Sequence, residues 1–166
     1  HVLAAGWTRL AEELPFVGRT AMRGDHVGSA VVAARLAGAM LHLACLLERR
    51  WPPYPKWLGT TVASLPRAGA VLDPLAAALA APDVQAREAG LVAAAEFLHG
   101  VQRDAGLPSG PAATGPFHGR PFRGIRADVA ERLRAAIGDP EVRALPVGAI
   151  EQWVDGVDVL TAPQRR

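Results

Sequence analysis

The chain has 166 residues, half of them hydrophobic, with 18 basic against 16 acidic side chains and a formal net charge of +2. That length supports one domain with a real core, and the absence of any long Lys or Arg run excludes a nucleic-acid surface built on one. Lys56 is the only lysine; the other 17 basic residues are arginine, the bias a GC-rich coding sequence produces. The single cysteine, Cys45, has no internal disulfide partner and sits in an apolar run as a small core residue. A reducing, cytoplasmic setting follows most simply, and the opening residues lack the basic, apolar and small-residue order of a signal peptide.

In chain order, helix signals dominate and strand patterning is nearly absent, which predicts an all-α, single helical-bundle domain with one long central helix. The first helix is expected over Leu3 to Leu14, ended by Pro15, with a loop over Phe16 to Arg23. The central helix starts near Gly24-Asp25 and reaches about Arg50, with Asp25 complementing its amino-terminal dipole and Arg49-Arg50 its carboxy-terminal one. Within it, Ser29 to Leu47 is long and apolar, but Arg35 and His42 interrupt it, so it reads as a buried core helix rather than a membrane span. Short helices follow at Lys56 to Ser64 and Leu75 to Ala80, the latter opened by Asp73-Pro74. A longer helix is expected from Val84 to about Asp104, then an irregular loop over Gly106 to Gly119 with four glycines and three prolines. Arg120 to Ile125 reads as extended, Asp128 to Ile137 as an amphipathic helix, and Gly138-Asp-Pro140 opens a last short helical piece. His1 is not an initiator methionine and the first helix begins almost at once. This reads as the carboxy-terminal part of a longer two-domain protein; a renumbered complete small protein is the other reading.

Chemistry concentrates where the central helix ends. Pro52, Pro53 and Pro55 forbid its continuation and hold Tyr54, Lys56 and Trp57 on a stiff turn. A cation beside aromatic faces suits a phosphate grip with a planar group stacked nearby; equally, the aromatics could close the core while Lys56 snorkels to water. Upstream, Gly28, Arg35, His42 and Arg49 recur every seven residues and form one polar stripe. Val32, Leu36, Ala39, Leu43 and Leu47 occupy the adjoining core face. The stripe is either an anion-facing wall or a set of arginines paired with carboxylates such as Glu12, Glu13, Glu88 or Glu96. Arg35 and His42 also fit the Arg-x6-His spacing of the helical ribonuclease domains that accompany minimal nucleotidyltransferases, a metal-independent alternative in which histidine moves a proton and arginine steadies a phosphate. Glu151, Asp155 and Asp158 beside Trp153 offer acids for a divalent cation, or solvated charges around a helix end. No zinc set, Gly-x-Ser-x-Gly elbow or Gly-x4-Gly-Lys-Ser/Thr loop is present.

Taken together, Phe16-Val-Gly-Arg-Thr20, Gly24-Asp-His-Val-Gly-Ser29, Ala33-Ala-Arg-Leu36, Leu46-Leu-Glu-Arg-Arg50, Pro53-Tyr-Pro-Lys-Trp-Leu-Gly59, Arg120-Pro-Phe122 and Glu151-Gln-Trp-Val-Asp155 resemble one family. It is the carboxy-terminal helical region of a bacterial domain-of-unknown-function family attached to nucleotidyltransferase-like domains, related to aminoglycoside nucleotidyltransferases. The resemblance implies an accessory domain, without catalysis on its own, that packs against a preceding nucleotidyltransferase-like half and helps enclose nucleotide and an unidentified acceptor. It assigns Lys56 to nucleotide phosphates, with Tyr54 and Trp57 shaping the pocket. It places Asp25, Arg35 and Glu48 on motif positions without a role, and Arg49 joins Arg35 as a candidate cation. No cofactor is implied for this chain and Mg-ATP or another nucleoside triphosphate for the parent. Against the family pattern, His42 stands in place of an arginine, Gly100 of an amide residue and Gly156 of a serine. The alternative is a helical protein-interaction module, its stripe covered by a protein partner or by self-association, with neither membrane nor nucleic acid as partner.

Overall fold

A computed structural model describes residues 1–145; the acidic Trp153 segment lies outside them. Among the described residues the helices are α1 (Val2–Ala21), α2 (His26–Leu47), α3 (Pro55–Ala63), α4 (Leu72–Leu79), α5 (Val84–Asp104), α6 (Ala127–Ala135) and α7 (Pro140–Ala144). The only strands among them are β1 (Thr114–Pro116) and β2 (Arg123–Ile125), antiparallel with Gly115 opposite Gly124. The fold is largely all-α, as the helical punctuation predicts.

Pro15 does not end the first helix. α1 runs through it for six more residues, although an interior proline removes one backbone bond and costs about 3 kcal/mol. Tertiary burial overrides that local penalty: Leu14 and Val17 are wholly inaccessible, and each such side chain returns roughly 1.5–3 kcal/mol. Gly18 is the contact point, since a Cβ there would lie 2.9 Å from the Phe122 ring. The chain just past Pro15 thus packs against a hairpin about one hundred residues away as well as against α2.

The expected long central helix is α2, and α1 and α5 match it in length. Asp25 caps α2 by accepting from the Gly28 amide at 2.7 Å. The helix ends at Leu47 rather than Arg50, and Arg49 takes a left-handed φ of 56°. By length and composition α2 could cross a membrane, but half of its apolar window is buried in the bundle. α5 keeps its expected bounds, and Asp83 caps it through the Ala86 amide at 2.7 Å. α4 approaches α5 so closely that a Cβ on Gly90 would lie 2.8 Å from the Pro74 carbonyl oxygen and the Ala78 amide nitrogen. Only glycine fits that crossing without backbone movement.

The loop over 106–119 is irregular as expected up to β1, and side chains of α5 fix its course. Trp7 Nε1 donates to Gln102 Oε1 at 2.7 Å, and Gln102 Nε2 donates to the Pro108 carbonyl at 2.7 Å. Glu96 then accepts from the amides of Ala113 and Thr114 at 2.9 and 2.8 Å and from the Thr114 hydroxyl at 2.6 Å. Those bonds turn the chain into β1. Glu88 accepts from the Arg123 amide at 2.9 Å and holds β2 in the same way.

Candidate functional site

Pro52 is buried and Tyr54 occupies the cap position of α3 with extended backbone, so the proline-rich turn delivers its side chains at a fixed place. Trp57 is half exposed, and Lys56 Nζ sits 5.1 Å from the centre of its ring. That is a cation–π contact at the surface, worth about 0.5–1 kcal/mol. Tyr54 is half-buried beside them. Among the described residues no carboxylate pairs with Lys56, so its charge remains open to an anion. The turn thus brings together three of the five residues expected at the site.

Arg35 and Arg49 do not join them. Arg35 Nη2 donates to Glu13 Oε1 at 3.0 Å, which joins α2 to α1 in the paired arrangement the polar stripe allowed. The same oxygen lies 3.3 Å from Arg9 Nε, so Glu13 serves two guanidiniums. Arg35 also stands twelve residues before the end of α2, roughly 18 Å along its axis. Arg49 is exposed on its left-handed backbone and makes no hydrogen bond, ion pair or ring contact with Lys56, Tyr54 or Trp57. His42 lies half-buried two turns after Arg35 on the same face.

The other motif residues have structural work. Asp25 is the α2 cap described above. Glu48 accepts from the amides of Arg67 and Ala68 at 2.6 and 2.8 Å, and from the Arg67 guanidinium at 3.3 Å. Burial alone would raise the Glu48 pKa, but the Ala68 and Arg67 amides and the Arg67 side chain together hold it below the usual carboxylate value. This clamp ties the start of the Tyr54–Trp57 turn to the segment after α3, so Glu48 positions the turn rather than meeting a ligand there. Sequence reading missed both this role and that of Glu96, because each acceptor serves amides about twenty residues away.

With that geometry in place, the comparison with protein families is specific about its extent. Residues 1–58 match the family model described as Domain of unknown function (DUF4037). No curated protein and no solved structure matches the chain. The matched segment contains α1, α2 and the whole Tyr54–Trp57 turn, and it stops where α3 has barely begun. The hairpin and α4 to α7 fall outside it.

Proposed function

We propose that the chain is a helical accessory domain of a nucleotidyltransferase-like protein, which helps to position nucleotide and acceptor and does no chemistry itself. The carrying observation is the Lys56–Trp57 pair, a cation 5.1 Å from a half-exposed indole with no carboxylate partner among the described residues. The match over residues 1–58 supports the reading by including that turn. In this role Lys56 takes the phosphates, Trp57 and Tyr54 flank the organic part, and Glu48 holds the turn in place. The triphosphate arrives with magnesium, a catalytic half supplies the reaction, and the setting is the cytoplasm of a bacterium.

A second reading, a helical interaction module, is favoured by the outward face of α2. There Val27 and Val31 are 76% and 56% exposed, one turn apart, with exposed Ala30 and Ala34 beside them. Titrating Mg-ATP into the protein at its full native length while following the Trp57 indole by NMR separates the two. Under the first reading the Trp57 signal shifts, and Lys56→Ala abolishes the shift and weakens binding at that turn about tenfold, or ~1.4 kcal/mol. A Trp57 signal unmoved by nucleotide, with association that rises with protein concentration, would leave the interaction module.

A further inference from the structure

At the other end of α1 lies a second cationic site on different residues. Its last turn and the hairpin tip enclose a groove of about 500 Å³. Arg19, Arg23, Arg120 and His118 line it with Met22 and two phenylalanines, and no carboxylate is among them. Arg9, Arg35, Arg67, Arg126 and Arg132 all have carboxylate partners, whereas Arg19, Arg23 and Arg120 have none among the described residues. The acid in the adjoining groove, Glu88, already accepts from the Arg123 amide. Three permanently charged guanidiniums gathered on one concave surface repel one another, and a bound anion relieves that repulsion.

The framework of the groove is fixed by packing. The Phe122 ring is buried against Gly18, and Phe117 stacks on it with centroids 5.7 Å apart and planes 26° from parallel. His118 and Gly119 both take left-handed backbone, φ 44° and 67°, to close the tip. A non-glycine residue there costs about 1–2 kcal/mol. The turn sets the His118 ring edge-on to Phe117 at 4.6 Å. On the facing wall, the Arg19 guanidinium lies 5.4 Å from the centre of the Phe16 ring. Two elements joined by the buried Phe122 therefore present their cations to the same space.

From this geometry we infer that the groove between α1 and the hairpin tip binds a small organic phosphate carrying at least two negative charges, a phosphomonoester or a pyrophosphate ester. Guanidinium forks match phosphate oxygens in pairs, and the volume lies in the range of small-molecule sites. Met22 and the half-buried Phe117 offer apolar surface to the organic part. The groove is one concave space of small-molecule size, which favours a small ligand over an extended nucleic-acid backbone.

Calorimetric titration at low ionic strength with sodium pyrophosphate, with ribose 5-phosphate and with ATP tests this. Binding of pyrophosphate or an organic phosphate at submillimolar concentration is expected. The titrations are read in the Lys56→Ala background, which removes the cation of the Tyr54–Trp57 turn, and there binding should weaken at least tenfold on adding Arg23→Gln/Arg120→Gln. Tighter binding of ribose 5-phosphate would identify a sugar phosphate, and tighter binding of ATP a nucleotide. Both altered arginines are exposed, and a circular dichroism melt confirms that the double variant folds; Arg19→Gln gives an independent second loss. No binding by the protein carrying Lys56→Ala, or equal affinity once the folded arginine double variant is added to it, would overturn the assignment. So would a single-stranded oligonucleotide that binds with a steep salt dependence and is not displaced by pyrophosphate.

Discussion

The two ends of one hairpin are built on opposite electrostatic terms. At its base, Glu96 places a carboxylate against two backbone amides and draws the chain onto α5, while Glu88 holds the amide of Arg123, the strand residue next to the tip. At its tip, Arg120 and His118 meet Arg19 and Arg23 with no acid lining the space. A base whose charges are met by protein donors is a structural joint. A tip whose charges are not met is a place for something from solution.

The largest test of that contrast is Glu96→Ala. It strips the acceptor from the amides of Ala113 and Thr114, both buried. Each unsatisfied buried donor costs about 1–3 kcal/mol, so a loss of about 3 kcal/mol is expected, read as a fall in Tm of roughly 10 °C. Glu96→Gln keeps one acceptor oxygen and should lose about half as much. Full stability in Glu96→Ala would show that the base is not held by this carboxylate.

Next is Gly18→Ala, which pushes a methyl group into the Phe122 ring. Overpacking of this kind costs about 1–3 kcal/mol. Because Phe122 carries the tip, phosphate binding in the groove should weaken along with the melting temperature. A variant that lost stability but bound phosphate as before would separate the groove from its packing.

The smallest effect is in pH. Burial, and secondarily the Arg103 charge, lower the pKa of His99, outweighing the opposing Glu96 and Asp128 charges. The unfolded chain thus binds a proton that the folded one resists, so this contribution to stability is complete above the ordinary value of 6.5 and declines as pH falls below it. The Glu96 pKa is shifted the other way: burial would raise it, but the Thr114 hydroxyl and the Ala113 and Thr114 amides bring it below the usual 4.5. Its contribution is present above 4.5 and is lost only as pH drops through that value toward the folded pKa. Denaturant midpoints should therefore drift down gently below pH 6.5 and more steeply below 4.5, and His99→Gln should remove the gentle part. A curve flat to pH 5 in the native protein would contradict the burial argument for His99.

These contrasts also mark what the sequence made legible. Asp25 announced its helix correctly because the charge at a helix start is a local matter, settled within three residues. The Tyr54–Trp57 turn was visible for the same reason, three prolines in four positions. Pro15 misled because its penalty is local while the burial that outweighs it comes from packing against α2, α6 and the hairpin. The groove at the tip stayed hidden because Arg19 and Arg120 are about one hundred residues apart and single arginines carry little signal in so arginine-rich a chain. The run Phe117-His-Gly-Arg-Pro-Phe-Arg123, aromatic and basic residues alternating around a turn, was the clue available.

The passage of α1 through Pro15 toward the hairpin also bears on the order of events during synthesis. Trp7, Leu10 and Leu14 are made well before the hairpin and α6, yet α1 packs against β2 and α6 as well as α2. At about 5–20 residues per second, the ribosome needs roughly 4–15 s to go from the end of the family-matched segment to the end of α6. During that interval α2 can already cover one face of the nascent helix, while the face that meets β2 and α6 has no cover. The segment that matches the family model is thus complete before all of its packing partners exist.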